Sequence, residues 1–586
     1  MTTLFDAPAQ KAPPPPRYRR AGWYRALSGR YLTMAIASIV VAFLALVPVC
    51  TMLYASFQSN FLGIGASSWT LANFSQTFTA SGFGTLVANS FIYSAATAVI
   101  CIVIGFGLAW LVVRTNAPFK AFARAAALVP MIIPGVLNTI AWSLLLSPGQ
   151  GPLNHLFEAI GLPAFNIYSL AGMVFVQSMH VVPVAYLMGT AAFSSMDSSL
   201  EEAAMASGAS PVRTFFTITV RMVRPAILSA ALLMFIQTIS NFEVPQLIGV
   251  PGHTFVFVSQ IYLALQQFPP AYGTVGVIGI FVLVIAVGGL YLSRRVGRGA
   301  SIATITGKGF RGQVQDLGKW RWLGFACFLV FFVVAVALPL LMLLWSSLLP
   351  GYETPSLSAL GDLTFSNFSA VFKQPSLVQS VKNSLIVSVS TGLIVTVLSA
   401  LVAYITVKTK IAGRGLLDGL ATVPIAVPSV IMGVGILYFY LVAPLPVHLY
   451  GTIAILVVAF VTITMPYAMR YIVPGMAAIK DELEEAATSS GATWFQGFRR
   501  IFVPLLMPSL LAAFLYSMIV SFREISAAIF LYSTNTQVVS VQIYDLFRNG
   551  DYPVVAALGI LMVAFLVLLV VLVQVLTRAV GIRQPR

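Results

Sequence analysis

Ser198-Ser199-Leu200-Glu201-Glu202-Ala203-Ala204-Met205-Ala206-Ser207-Gly208-Ala209-Ser210-Pro211 has a near copy 283 residues on, Asp481-Glu482-Leu483-Glu484-Glu485-Ala486-Ala487-Thr488-Ser489-Ser490-Gly491-Ala492-Thr493-Trp494. Ser198 with Glu201, and Asp481 with Glu484, have capping-box spacing, which predicts a helix start in each copy. Gly208 and Gly491 fall where that helix should end, because glycine enters the left-handed conformation cheaply. Ser210 before Pro211 reads as a second start, an N-cap followed by proline at the first helical position. Thr493 before Trp494 holds the equivalent place. Each copy is therefore expected to be helix, sharp bend, helix. The alanines offer a small-residue surface on which another protein can pack closely. A helix lying on a bilayer would instead want Leu, Phe or Trp along one face.

Outward from these loops the chain turns apolar. It is 59% hydrophobic and 9% charged, against roughly 25% charged in a soluble domain. The apolar residues fall in blocks of about 20 or more, the length of a membrane-spanning helix. Twelve spans are expected, near 31–57, 86–113, 121–147, 167–194, 225–249, 271–293, 321–347, 383–407, 415–443, 450–478, 507–532 and 553–578. Lys and Arg alternate between connections as cytoplasmic loops require. Arg114, Lys120 and Arg124, then Arg213, Arg221 and Arg224, fall on one side, while 58–85, 148–166 and 250–270 hold none. Only Lys373, Lys382 and Arg548 fall opposite. Both termini are thus expected in the cytoplasm, with residues 1–30 a flexible tail and not a signal peptide. The net charge of +16 forms no continuous stripe, which argues against nucleic acid. Cys50, Cys101 and Cys327 each sit inside an apolar block and read as packing residues.

The two halves repeat. Asn73-Phe74 recurs as Asn367-Phe368, Asn89-Ser90 as Asn383-Ser384, and Val129-Pro130-x-x-x-Pro134 as Val423-Pro424-x-x-x-Pro428, all at an offset of 294. The glutamate-rich loops and Pro225/Pro508 share an offset of 283. The second half is therefore shorter between its third-span prolines and its loop, most simply between its third and fourth spans. An even number of spans per half gives a parallel duplication about an axis along the membrane normal. The expected organisation is a tail (1–30), a first repeat (31–293), a basic linker (294–320) and a second repeat (321–580).

With this context the loops resemble the "EAA" loop of binding-protein-dependent ABC importer permeases. The pattern is Glu-Ala-Ala, three residues, Gly, nine residues, Ile, any residue, a hydrophobic residue and Pro. Glu485, Ala486, Ala487, Gly491, Ile501, Val503 and Pro504 fit in full. Glu202, Ala203, Ala204, Gly208, Ile218 and Val220 fit as far as Arg221, which stands where proline is expected. The resemblance implies an all-α integral membrane protein with the type I importer permease fold, in the inner (plasma) membrane of a bacterium. It also implies that Glu201, Glu202, Ala203, Ala204 and Gly208, with Glu484, Glu485, Ala486, Ala487 and Gly491, couple to two copies of a cytoplasmic ATPase. ATP and Mg would be bound by that partner, and an extracytoplasmic solute-binding protein would deliver the solute. The chain has no Gly-x-x-x-x-Gly-Lys-[Ser/Thr] phosphate loop and is expected to be non-catalytic, without a cofactor or metal site of its own.

Fusion of both halves, and Ser521-Phe522-Arg523-Glu524-Ile525-Ser526 with its "REIS" stretch, resemble the ferric-iron branch; thiamine and aminoethylphosphonate permeases also occur fused. An ion-coupled secondary transporter is the reading from another class, and would need more ionisable groups within its spans. Those present are pathway candidates: Glu243 at the end of the fifth span, near the outer surface, Arg523 and Glu524 in the eleventh, and His180 in the fourth. The blander reading makes Arg523 and Glu524 an interhelical polar lock and His180 a satisfied packing residue. Arg523 and Glu524 are adjacent and cannot simply pair with each other on a helix, so each should find a partner on a neighbouring span or a watery cavity. Pro130, Pro134, Pro424 and Pro428 should kink the third and ninth spans.

Overall fold

The computed structural model describes residues 29–59, 67–297, 314–443 and 448–579. Nearly all of the expected tail and most of the basic linker, 298–313, lie outside the described residues. Within them the backbone is helical, with strand-like pairing only at two isolated bridges. An apolar chain in lipid must satisfy its amides internally, and helices do so within one segment.

The first half contains α1 (Gly29–Ser56), α2 (Ala72–Thr79), α3 (Phe83–Arg114), α4 (Lys120–Met131), α5 (Gly135–Leu145), α6 (Pro152–Ala159), α7 (Leu170–Ser194), α8 (Ser199–Ala206), α9 (Pro211–Ile239), α10 (Phe257–Gln266) and α11 (Tyr272–Gly297). The second contains α12 (Gly318–Ser347), α13 (Ser366–Lys373), α14 (Pro375–Lys408), α15 (Arg414–Ala426), α16 (Ser429–Val442), α17 (Ile453–Ala478), α18 (Glu482–Ser489), α19 (Trp494–Arg523), α20 (Ala528–Leu531), α21 (Val539–Arg548) and α22 (Tyr552–Ala579). Among the described residues, ten helices are long and apolar enough to cross a bilayer; counting each of two bent pairs as one crossing gives twelve.

Those bent pairs correct one expectation. The third and ninth spans are not kinked helices but broken ones. α4 meets α5 at 96°, and α15 meets α16 at 108°. Pro134 and Pro428 take extended backbone at the same place in each half (ψ 138° and 139°). Proline removes a helical donor and drives the preceding residue out of the helical region. Two such prolines four residues apart end one helix and start another.

The fifth and eleventh spans also shift. They begin at Pro211 and Trp494 and end at Ile239 and Arg523, well before the expected 225–249 and 507–532. The basic residues Arg213, Arg221 and Arg224 all lie in the N-terminal half of α9. Pro225 and Pro508 sit inside helices.

The repeated asparagines explain themselves. Asn73 Nδ2 donates to the carbonyls of Ser56 and Gln58 (2.9 Å each), tying α2 to the end of α1. Asn367 does the same to Ser347 and Leu349. Ser90 and Ser384 accept the N–H of Phe257 and Val539 (3.0 and 2.7 Å), fixing the starts of α10 and α21. Buried amides without such partners would each cost about 1–3 kcal/mol, which makes these residues the same in both halves. The expected deletion is located: α16 and α17 are separated by residues 443–452, whereas 146–169 between α5 and α7 include the extra helix α6.

The first spans bridge the halves. α1 packs on α15 and α16 as well as on α11 of its own half, and α12 packs on α4 and α5 as well as on α22 of its own half. Gly435 makes the first contact possible: a Cβ there would stand 2.1 Å from the Pro48 carbonyl oxygen. Thr51 Oγ1 donates to the Gly435 carbonyl across the same interface at 2.8 Å. Small residues of this kind replace the hydrophobic drive that lipid removes. The linker's far end is pinned as well. Gln315 N–H donates to the Arg114 carbonyl at 2.8 Å. Asp316, hydrogen-bonded by the Gly318 N–H and the Asn116 amide, is held below the usual carboxylate range.

Candidate functional site

Each coupling loop is helix, bend, helix. α8 ends before Gly208 (φ +87°) and α18 before Gly491 (φ +79°). The second starts form as expected: Ser210 accepts from Arg213 N–H, and Thr493 forms a capping box with Gln496. The first capping boxes do not form. Ser198 and Asp481 have helical backbone and cap nothing. The glutamates expected to close those boxes turn inward instead. Glu201, buried, accepts from Arg114 at the end of α3 and from Thr219 on α9. Glu484 accepts from Tyr404 near the end of α14 (2.5 Å), and Lys408 donates to Asp481 at 2.6 Å. Arg114 and Lys408 are equivalent by the 294 offset, so both loops are anchored to the same point of the second span. The second glutamate faces out: Glu202, Ala203 and Gly208, like Glu485, Ala486 and Gly491, are exposed. Ser198 Oγ donates to Glu202 at 2.8 Å and orients it. Ala204 and Ala487 are half-buried.

The four pathway candidates come together at the break of the third span. Glu243 is not near the outer surface. Its Oε2 lies so close to Gly135, the first residue of α5, that a Cβ there would stand 1.8 Å away, and the Val136 N–H hydrogen-bonds the carboxylate. Arg523 crosses between halves and donates to the Met131 carbonyl at 2.5 Å. The break in the helix frees that carbonyl, and in a membrane interior it must find a donor. Glu524 finds its partners next in its own chain, accepting the Ala527 and Ala528 N–H groups (3.0 and 3.4 Å) and capping α20. Arg523 lies within electrostatic range of Glu243 and His180, and Glu243 within range of Glu524. His180 is not satisfied: its Nδ1 is buried with no partner among the described residues. No group of three metal-ligating side chains occurs among the described residues.

Sequence reasoning missed that Glu243 and Glu524 stand at similar places, at the ends of the fifth and eleventh spans. The shared Ser-x-x-Glu of Ser240–Glu243 and Ser521–Glu524 carries that signal. It also passed over Arg470, an arginine inside the apolar block of the tenth span, with its Cζ 6.0 Å from the Tyr467 ring centroid. A four-ring cluster was not foreseen either. Next to Glu243, Phe242 and Tyr262 of the first half meet Phe530 and Tyr544 of the second, with centroids 5.5–6.3 Å apart. Gln246 Nε2 donates to Tyr544 OH at 3.0 Å across the same seam.

Residues 102–298 and 392–583 match the family described as the binding-protein-dependent transport system inner membrane component. The chain belongs to this family. The family matches twice, once in each half, so the protein is a fused, duplicated ABC importer permease and a multi-pass membrane protein of a bacterial binding-protein-dependent system. It is 25% identical to the ferric transport system permease protein FbpB of Actinobacillus pleuropneumoniae over 498 residues, 83% of this chain and 70% of that one. It is 23% identical to the Fe(3+)-transport system permease protein FbpB 2 of Haemophilus influenzae over 488 residues, 82% of this chain and 87% of that one. The sulfate transport system permease protein CysT of Salmonella typhimurium is 27% identical over 235 residues, 85% of its own length but 38% of this chain, as a single unit matched to a duplicated one.

Proposed function

We propose that this permease is the membrane pathway of a ferric-iron importer, and that α8 and α18 each dock one copy of a cytoplasmic ATPase. The observation that carries the coupling role is the paired geometry. Each loop bends at a glycine with positive φ, presents an exposed Glu-Ala surface, and is anchored to the end of the second span through its inward glutamate. A push on either loop is thereby transmitted to α3 and α9, or to α14. Hydrolysis belongs to the ATPase, which binds ATP and Mg; this chain contributes no catalytic group. The repeats run 31–293 and 321–580, joined by the basic linker 294–320, with both termini in the cytoplasm. In that orientation the four-ring cluster beside the central polar cluster bars the way inward from the outer side, where the binding protein releases solute. Movement of the coupling loops separates the halves at that seam.

Iron as the solute is supported by the similarity to two ferric permeases along most of the chain. The test is uptake of radiolabelled iron into proteoliposomes containing this chain, its ATPase and its iron-loaded binding protein. ATP-dependent accumulation is expected. Accumulation of thiamine or aminoethylphosphonate instead, with iron ignored, would replace the substrate and keep the machinery.

A further inference from the structure

The two halves differ at matched positions of their fourth and fifth spans. Pro183 and Pro466 align at the offset of 283, so Val184, Leu187 and Met188 of α7 correspond to Tyr467, Arg470 and Tyr471 of α17. On α9 and α19, Leu233 corresponds to Tyr516. The first half is aliphatic at all four positions, and the second is phenolic or cationic at all four. These side chains form one strip. The Tyr467 and Tyr516 rings lie 5.7 Å apart, and Tyr471 and Tyr516 5.4 Å. Arg470 lies over Tyr467. Tyr516 and Tyr467 are each within electrostatic range of both Arg470 and Arg523. Arg523 itself reaches the first half at Met131, so the strip runs within the second half from the central polar cluster towards the coupling loops.

Two features point to a ligand. Arg470 and Tyr471 are exposed on a helix whose span is otherwise mostly buried. Arg470 also forms no ion pair among the described residues. A guanidinium in a membrane span is costly unless it faces water or a partner, and here it has phenols beside it and no carboxylate. The two central carboxylates do not serve it. Glu524 is occupied by backbone amides at the start of α20, and Glu243 by the start of α5.

We infer that Arg470, with Tyr467, Tyr471 and Tyr516, forms a binding strip for an anionic solute on its way to the cytoplasm. A guanidinium fork flanked by hydroxyl donors suits carboxylate or phosphate-type oxygens and repels a bare trivalent cation. Resting on the importer reading, this means that iron passes as an anionic complex with oxyanion ligands, not as the naked ion.

The test is uptake of radiolabelled iron, supplied as ferric citrate with the binding protein, into vesicles containing the whole complex. Arg470→Gln should lower uptake roughly tenfold or more, as loss of a charge-assisted hydrogen bond implies, and Arg470→Lys should restore part of it. Tyr471→Phe and Tyr516→Phe, which remove only hydroxyls, should lower uptake by smaller factors. An inside-positive membrane potential should speed uptake by the unsubstituted protein. Unchanged uptake by Arg470→Gln, or acceleration by an inside-negative potential, overturns the proposal. So does a loss by Arg470→Gln that appears only in vesicles of anionic lipid, since the arginine would then serve a headgroup. If the unsubstituted complex ignores iron but takes up sulfate or a phosphonate, and Arg470→Gln abolishes that, the iron reading fails and the anion strip stands.

Discussion

Glu201 and Glu202 are neighbours with the same chemistry and opposite fates. One is buried against Arg114 and Thr219, the other exposed beside Ser198. The sequence marks both as unusual, and its repeat marks them as a pair with Glu484 and Glu485. It does not say which turns inward, because capping-box spacing fits Glu201 as well as burial does. The deciding partner, Arg114, is 87 residues away in sequence. Removing one member of a buried ion pair strands the other charge, at about 3–5 kcal/mol. Arg114→Met should therefore lower the melting temperature of the purified protein markedly, and Arg114→Met with Glu201→Leu should recover most of the loss. A single variant as stable as the parent would show that the pair is not structural. The central cluster was half legible in the same way. Arg523, Glu524, Glu243 and His180 stand out as ionisable residues in apolar blocks, but their meeting depends on the helix break in the first half.

At the scale of elements, apolar block length and the alternation of basic loops were enough to place twelve crossings in two matched sets. What they could not place were the ends of α9 and α19, where a helix runs on through a basic segment, and the breaks at Pro134 and Pro428. Proline spacing signals a disturbance, but a bend of about a right angle also needs the opposite half's first span lying against it. The coupling bends were legible, since glycine is the residue that takes positive φ without strain. Nothing lies within 4 Å of a Cβ at Gly208 or Gly491, so a substitution there is felt through the backbone alone, at on the order of 1–3 kcal/mol each. Gly208→Val with Gly491→Val should leave the chain inserted but abolish stimulation of ATP hydrolysis by loaded binding protein. Normal stimulation in the double variant would remove these loops from the coupling role.

For the whole molecule, duplication was readable from two offsets, yet the bridging by the first spans was not, because helices in lipid carry little sequence record of which neighbour they choose. Each first span holds the two halves together: α1 packs on both α11 and α16, and α12 on both α22 and α5. The seam of Phe242, Tyr262, Phe530 and Tyr544 is then the place where the halves part. With Cys50, Cys101 and Cys327 replaced, a bifunctional thiol reagent joining Phe242→Cys to Phe530→Cys should stop solute uptake, and reduction of a cleavable linker should restore it. Uptake that persists through the cross-link would mean that the seam does not open.

The most direct test of the account is ATP hydrolysis by the complex purified through a tag on this chain and reconstituted in lipid with its binding protein. A co-purifying ATPase is expected, two copies per chain, whose hydrolysis rises when the binding protein is loaded. A chain that purifies without an ATPase, or hydrolysis indifferent to the binding protein, would contradict it.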